Sequence, residues 1–508
     1  MNKFKSGFAT ALLAGTILAS PGTVLANERE LQSRIDSQQQ EIEALKRQVQ
    51  DLIGIVGLRV TKIEAQQDTA KQQAAVAQKP VPHVIQTATN KLAFETADGK
   101  FSIGPTGIVQ IDSGGYLNFT PASRVVGTQK LTSGINARRA RVGVAGKMFG
   151  DWSYKFLYDG GNSQDTTASG IEAAQISYNG FKGVIIDLPG YSATPFTMDQ
   201  ATSSTDLLFL ERSTPTNIAI GLNAGDSRTN TGVRFFNDRY WAGAYFTGPA
   251  SGDSHTGVSE RFGAFQRAAF QVLSTPDYSV HLGVAVDELL RAPDTGVGTA
   301  KAVTLSDRPE LRIDPTTLLT TGTIGTLANP VTGGQVYNVE AAVDWKSLFF
   351  QGEYFHYDID RHGLTTAGFD GGYVQASWVL TGEQHGYDKT TGAYTGVIPA
   401  KPFSLSNGDI GAWELAARVS YVNLTDNFTP GLALVGQPNA VNGGKQTSYT
   451  LGANWYVNSL MRFTFNYIHT DYSKANGTAV AGAPLGAPLG VPVGAKADAL
   501  AIRAQFVY

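Results

Sequence analysis

Side chains of alternating polarity recur along this chain from about residue 106 to its end. The clearest stretch is 461–467, in which the apolar or aromatic residues Met461, Phe463, Phe465 and Tyr467 alternate with Arg462, Thr464 and Asn466. A period of two places one set on each face of a β-strand. The polar set is too frequent for a buried face, and the apolar set recurs in many strands. The pattern predicts an all-β transmembrane barrel with lipid outside and water inside.

Composition agrees with strands rather than helices as the membrane-spanning elements. Charged residues make up 16% of the chain, below the usual fraction of about 25%. No run of about 18 apolar residues follows the first segment, which excludes transmembrane helices. Cysteine is absent, which excludes a disulfide scaffold and thiolate chemistry. The net charge of −3 gives no reason to expect nucleic acid as a partner.

Four segments are predicted along the chain. Residues 1–26 have the form of a signal peptide, with Lys3 and Lys5 before an apolar core and Ala26 at the cleavage site. Residues 27–66 are predicted to form a coiled-coil helix in the periplasm. Residues 67–105, rich in Gln, Ala and Lys and followed by prolines, are interpreted as a linker. Residues 106–508 form the predicted outer-membrane barrel domain.

A heptad repeat runs without a break through residues 31–63. The a positions are Ile35, Ile42, Val49, Val56 and Ile63, and the d positions are Leu31, Gln38, Leu45, Leu52 and Arg59. Such a seam requires a partner helix. β-branched residues at a with Leu at d favour two strands, but Gln38 interrupts the d row and further apolar residues widen the face, which favours three. The alternative is a single amphipathic helix that lies on another surface.

The length of the barrel domain sets the number of strands. At roughly 25 residues per strand with its connection, the domain accommodates about 16 antiparallel strands, within the even-numbered range of bacterial barrels. Long loops and short turns must then alternate between the two ends. Residues 189–225 are predicted as the long third loop and 289–333 as the fifth. Residues 383–408 resist this scheme, because they fall where a short periplasmic turn is expected.

Seven short runs resemble a known family in their order along the chain. They are ARRARV at 137–142, GDWSYK at 150–155, LERS at 210–213, YVQAS at 373–377, LTGE at 380–383, GAWELAAR at 411–418 and IHTD at 468–471. Together they are similar to the porin O/P family of phosphate-selective outer-membrane porins. The resemblance implies a trimeric, sixteen-stranded channel whose third loop folds inward and narrows the pore, in a family whose best-known members pass phosphate or polyphosphate.

The alternation also assigns charged residues to the interior of the barrel. The basic set is Arg139, Arg141, Lys155, Arg234, Arg267, Arg418, Arg462 and Arg503, and the acidic set is Asp112, Asp159, Glu340, Glu353 and Glu414. The predicted lumen is therefore basic although the chain is acidic, which favours anions. The alternative is that most of these charges pair across strands and stiffen the wall. Arg138 is expected to point outward and to anchor at the membrane interface.

The third loop departs from a strictly phosphate-selective pattern. Residues 191–210 contain no Lys or Arg but include Asp199 and Asp206. Arg212 matches a family run and is carried over as a constriction residue, and the adjacent Glu211 is expected to neutralise it. These features predict a mild anion preference rather than a strict phosphate filter.

The sequence as a whole predicts an outer-membrane porin for passive diffusion of small solutes, with small anions such as phosphate preferred. The alternatives are a non-selective diffusion porin, or a structural barrel whose coiled coil tethers the outer membrane to the cell wall. Expected partners are outer-membrane lipid, further copies of the chain in a homotrimer held by the barrel walls and the coiled coil, and peptidoglycan or a periplasmic protein. No enzymatic activity, cofactor or metal is predicted.

Overall fold

The computed structural model of this chain describes residues 27–77, 83–86, 92–121, 131–161, 170–225, 227–251, 259–430, 436–474 and 494–508. The chain divides into two compact units, Met1–Pro80 and Val81–Tyr508. The predicted signal peptide at 1–26 lies outside the described residues.

The first unit is built around one long helix, α1 (Asn27–Ala77). The helix continues past residue 66 into the segment interpreted as a linker, because Gln, Ala and Lys there are good helix formers. Its heptad residues are exposed in the single chain; Leu45, for example, is 56% accessible. None of the described helices is long and apolar enough to cross a membrane.

The second unit contains a closed antiparallel barrel, and the predicted count of sixteen strands is confirmed. The barrel strands are β3 (Ser102–Pro121), β4 (Gly134–Met148), β5 (Trp152–Asp159), β6 (Ile171–Tyr178), β7 (Val184–Ser192), β8 (Arg228–Phe236), β9 (Tyr240–Ala250), β10 (Phe262–Ser274), β11 (Tyr278–Arg291), β14 (Val331–Trp345), β15 (Leu348–Arg361), β16 (Ala367–Val379), β19 (Ala412–Asp426), β20 (Val441–Tyr456), β21 (Met461–Tyr472) and β22 (Ala495–Val507). The last strand pairs with the first, with Arg503 opposite Asp112, and leaves no free edge.

The remaining elements are short. The strands outside the barrel wall are β1 (His83–Gln86) and β2 (Leu92–Glu95), which form a hairpin paired to the start of β3, and the hairpins β12 (Ser306–Asp307) with β13 (Leu319–Thr320) and β17 (His385–Asp388) with β18 (Ala393–Val397). The short helices are α2 (Met198–Ala201), α3 (Thr214–Ala219) and a π-helical turn at Ile220–Ala224.

The connections alternate between the two ends of the barrel, as predicted. One end, called the turn end here, carries the short turns, such as 149–151, 237–239, 346–347 and 457–460. The other, called the loop end, carries the third loop at 193–227 and the fifth loop at 292–330. Both ends of the barrel sheet, at β3 and β22, start and finish at the turn end, as an even number of strands requires.

The two faces of each strand differ in the predicted sense. On β21 the outward residues Met461 and Phe465 are exposed to the surroundings of the barrel, whereas the inward residues Arg462 and Thr464 are buried. Aromatic side chains also cluster on the outside near the turn end, where Trp455 stacks between Trp413 and Phe463 at centroid distances of 5.4 and 5.5 Å. Such belts mark a membrane interface.

The segment 383–408, which is too long for the expected periplasmic turn, contains a hairpin that folds into the barrel. The β17–β18 hairpin crosses the interior in the turn-end half, where the Trp241 indole N–H donates to the carbonyl of Thr390 at 2.9 Å and the Tyr394 hydroxyl bonds Ser279 at 2.7 Å. The sequence could not predict this position of the hairpin. Alternation applies only within strands, and the length of a connection does not show whether it folds into the barrel or extends away from it.

Gly392 at the tip of this hairpin provides a test of its seating. It has a φ of +63°, and a Cβ there would lie 2.8 Å from the Trp241 ring. We expect Gly392→Val to displace the hairpin tip and to speed trypsin cleavage after Lys389. The control is Gly408→Val, with a similar φ of +72° and open space around its Cβ, so that it carries about the same backbone strain without the clash. Equal cleavage of the two variants would show that the indole does not hold the tip.

Candidate channel interior

A β-bulge turns an extra arginine into the barrel. On the β3–β4 ladder Gln110 lies opposite Arg139 and Ile111 lies opposite Ala137, so that Arg138 is the unpaired residue. Its guanidinium donates to both carboxylate oxygens of Glu211, at 2.7 and 3.0 Å. The prediction that Arg138 points outward is therefore wrong, because strict alternation fails at a bulge.

Glu211 in the third loop is held by two arginines from the wall. Besides Arg138 it accepts a hydrogen bond from Arg503 at 2.9 Å, and Arg503 also binds both oxygens of Asp112, at 2.6 and 2.7 Å. Burial alone would raise the pKa of Glu211, but the guanidiniums of Arg138 and Arg503 hold it well below its usual range. This cluster fastens the third loop to β3, β4 and β22.

The other predicted constriction residues serve the internal structure of the same loop. Arg212 donates to the backbone carbonyls of Asp199, at 3.0 Å, and Thr202, at 2.9 Å, and so closes the loop around α2. Asp199 is buried, and burial raises the pKa of its carboxyl, an effect that Arg212 opposes. Asp206 is partly buried and accepts from the Thr205 hydroxyl. The sequence could not predict these contacts of Arg212, because its acceptors are backbone carbonyls, which every residue type carries.

Three of the predicted basic residues are bound to carboxylates in the packed part of the interior. Arg267 donates to Glu340 at 2.7 Å and to the hairpin carbonyl of Gly392, and His281 also contacts Glu340 at 2.9 Å. Arg418 pairs with Glu310 of the fifth loop at 2.5 Å, and Arg503 belongs to the cluster at Glu211. These contacts favour the alternative that such charges hold the wall and the internal segments together.

Most of the acidic set takes part in contacts of the same kind. Glu340 accepts the backbone N–H of Met198 at 2.8 Å, Glu353 accepts that of Asp199 at 2.7 Å, and Glu414 contacts His385 of the hairpin at 2.8 Å. These three carboxylates join a barrel strand to a segment that lies inside the barrel, whereas Asp112 and Asp159 pair with arginines of neighbouring strands.

Two further predicted arginines are buried with incomplete partners. Arg139 donates to Gln110 at 2.8 Å, but its Nε has no acceptor. None of the Arg462 nitrogens has a hydrogen-bond partner among the described residues, and its guanidinium lies 5.5 Å from the centre of the Tyr456 ring. Buried donors without acceptors are rare and costly.

The remaining three predicted basic residues lie where water reaches the interior. Arg141 binds Asp159 at 2.8 Å and Glu172 at 2.7 Å. Arg234 is 3.8 Å from Asp187. Lys155 is exposed. The structure thus places the eight predicted basic residues inside the barrel in different surroundings.

A cavity of about 500 Å³ lies toward the loop end. Its charged lining is Arg138, Arg139, Arg212, Arg228, Arg261, Arg308 and Arg312 with Glu211 and Asp307. Four of these arginines, at 228, 261, 308 and 312, escaped sequence reasoning because they lie in or beside loops, where no alternation indicates a direction. Nothing in the composition of the fifth loop indicates that it folds inward.

A closed sixteen-stranded barrel with aromatic belts outside and charged groups inside defines an outer-membrane porin. The chain belongs to the family described as phosphate-selective porin O and P, whose family model matches residues 109–508.

Two relatives match over most of the chain. Porin O of Pseudomonas aeruginosa is 22% identical over 403 residues, covering 75% of this chain and 86% of that protein. An uncharacterized protein of Caulobacter vibrioides is 24% identical over 493 residues, covering 92% of this chain and 90% of that one.

Solved structures resemble the fold only. The anion-selective porin from Comamonas acidovorans matches with a TM-score of 0.44 and 12% identity over 80% of this chain and 100% of that one. The outer membrane channel DcaP of Acinetobacter baumannii matches with a TM-score of 0.43 and 10% identity over 82% and 99%. Similarity at this level carries no information on what this chain transports.

The cluster at Glu211 makes a prediction about stability. We expect Arg503→Met to lower the free energy of unfolding by about 3–5 kcal/mol, because Asp112 and Glu211 stay buried with fewer partners. Urea denaturation of the refolded barrel, followed by its gel mobility, measures the change. The control is Arg291→Met, which removes an exposed arginine that donates to the carbonyl of Glu260. An equal loss in both variants would mean that the cluster contributes nothing specific.

Proposed function

We propose that this protein is a passive diffusion channel with a mild preference for small anions such as phosphate, and that the arginine-lined cavity at the loop end is where the preference arises. In the outer membrane the turn end would face the periplasm and the loop end the outside. Membership of the phosphate-selective porin O and P family supports the proposal independently of the cavity.

The charge of the cavity lining is the observation that carries the proposal. Seven arginines and two carboxylates line about 500 Å³ of space. A surplus of positive charge in a low-dielectric wall raises the local concentration of anions. Guanidinium suits phosphate and carboxylate, because its planar fork binds two oxygens at once and is less tightly hydrated than an ammonium.

The third loop supports a mild preference over a strict one. Its segment 191–210 has no basic residue, and Arg212 is engaged by backbone carbonyls. Conduction requires sites that bind weakly enough to release the ion. A broad, positively charged cavity next to a third loop without a basic residue in segment 191–210 would bind anions weakly enough to release them. A single deep phosphate site would not.

Ion selectivity in planar bilayers tests the proposal. In a salt gradient the wild-type channel is expected to give a reversal potential of the sign for anion preference. The variant Arg261→Gln/Arg308→Gln removes two cavity charges and should reduce the anion-to-cation permeability ratio roughly threefold, the effect of about 0.6 kcal/mol of Coulomb energy.

The matched control removes the same number of charges elsewhere. Arg239→Gln/Lys401→Gln alters two exposed residues near the turn end and should leave the ratio nearly unchanged. A cation-selective wild-type channel would end the anion proposal, and a non-selective one would favour the general diffusion porin.

We further propose that three copies assemble through the side of the barrel that carries its shortest strands and through α1. β5 and β6 have 8 residues each, against 16 in β20. A strand exposed to lipid needs about 9–11 residues, so the short side is suited to contact with a neighbouring subunit. The exposed heptad of α1 provides a second contact in the periplasm.

Deletion of residues 31–63 tests whether the barrel and the helix α1 have separate functions. We expect single-channel conductance and selectivity to be retained, because no barrel strand is touched, and the heat stability of the trimer to fall, because the helical seam is lost. Native gel electrophoresis and bilayer recordings measure the two properties. Full conductance together with loss of attachment to the cell wall would support tethering as an additional role, and loss of conductance would contradict the separation of functions.

A further inference from the structure

The interior of the barrel is packed on one side. The inward faces of β14–β16, of β19–β22 and of β3 lie against the third loop, the fifth loop and the β17–β18 hairpin. Representative side chains are almost inaccessible: Asn338 is 2% exposed, Thr450 is 1% and Glu414 is 0%. Water and ions therefore have little room along this side in the described part of the interior.

The opposite side, formed by β4–β8, keeps several charged side chains accessible in the interior. The side chains of Arg141, Asp159 and Glu172 are 11%, 19% and 12% accessible, that of Arg234 is 20% accessible, and Lys155 is exposed. The arginine-lined cavity opens toward the same side, because Arg138, Arg139 and Arg228 on its lining belong to β4 and β8.

We propose that permeating anions leave the arginine-lined cavity along the inner face of β4–β8 and that Lys155 is a selectivity-determining residue on this route. The inference rests on the proposed function and assigns a path and a contact residue to it.

Lys155 differs from Arg141 and Arg234, the other accessible cations on this side, in having no ion pair among the described residues. Arg141 is clamped between Asp159 and Glu172, and Arg234 faces Asp187, which also accepts from the Tyr245 hydroxyl at 2.7 Å. Among the residues that the structure describes, the side chain of Lys155 has neither a hydrogen bond nor an ion pair.

The surroundings of Lys155 leave its ammonium available. Its neighbours across the ladders are Ala145 on β4 and Gln175 on β6, and neither carries charge. The charges that act on it are Glu172 and Arg141, which are already paired with each other at 2.7 Å. An unpaired ammonium in a hydrated passage attracts anions and releases them readily, because its hydration shell prevents a tight contact.

Lys155 also lies beyond the cavity on the way to the turn end. It is the fourth residue of β5, which starts at Trp152 beside the turn 149–151. An anion that passes the arginines at the loop end would meet this ammonium in the turn-end half of the barrel.

Cysteine accessibility tests the route directly, because the chain contains no native cysteine. In Lys155→Cys we expect rapid reaction with 2-sulfonatoethyl methanethiosulfonate and a fall in conductance after reaction. Ser377→Cys is the matched control, since Ser377 faces the interior near the turn end but is only 5% exposed. It should react at least about tenfold more slowly, because reaction there requires local opening. Faster reaction at position 377 than at position 155 would overturn the route.

Charge reversal tests the role of the ammonium. Lys155→Glu is expected to lower the anion-to-cation permeability ratio roughly threefold or more, while Lys182→Glu, the same change at an exposed turn residue, leaves it nearly unchanged. An unchanged ratio in Lys155→Glu would overturn its role as a selectivity residue.

The two proposals fail in different ways. Mass spectrometry of the modified cysteines reports the route even if the channel shows no ion preference. A wild-type channel without anion preference contradicts the proposed function, whereas an anion-selective channel in which Lys155→Cys stays unmodified contradicts only the route.

Discussion

The interior of this barrel depends on carboxylate–guanidinium contacts made out of reach of bulk water. Glu211 with Arg138 and Arg503, and Glu310 with Arg418, each join the barrel wall to a loop that lies inside it. Arg267 pairs with Glu340 on the wall and donates to the Gly392 carbonyl of the inward hairpin. A buried charge is tolerated only when it is paired and hydrogen-bonded. Each inward segment is therefore held in one position.

These contacts also explain why the interior is less positive than a count of its arginines suggests. Arg267, Arg418 and Arg503 are neutralised where they are, and Arg212 is occupied by carbonyls of its own loop. The lining of the loop-end cavity still contains seven arginines against two carboxylates, although Arg138, Arg212 and Arg312 among them have partners of their own. Such partial neutralisation is consistent with weak rather than strict selection among anions.

Sequence reasoning succeeded where it rested on repetition and failed where a single residue broke the pattern. The strand count followed from the length of the barrel domain, and the faces of β21 followed from alternation, which is a property of every strand. Arg138 was placed on the wrong face because one bulged residue reverses the direction of a side chain without any change in composition. The arginines at 261, 308 and 312 were missed because loop residues have no fixed period. The segment that contains the hairpin at 385–397 was recognised as too long for a periplasmic turn, but its position inside the barrel was not predicted.

The sequence by itself determined the barrel, its number of strands, the helical heptad before it and the family to which it belongs, because period-two alternation, strand length and heptad spacing are local properties that the chain carries in every segment. Only the tertiary structure decided which arginines are paired, which connections turn inward, and which inward side chains stay accessible. Those outcomes depend on contacts between residues that are hundreds of positions apart, such as Asp112 with Arg503, and the chain closes such contacts only when the barrel itself closes.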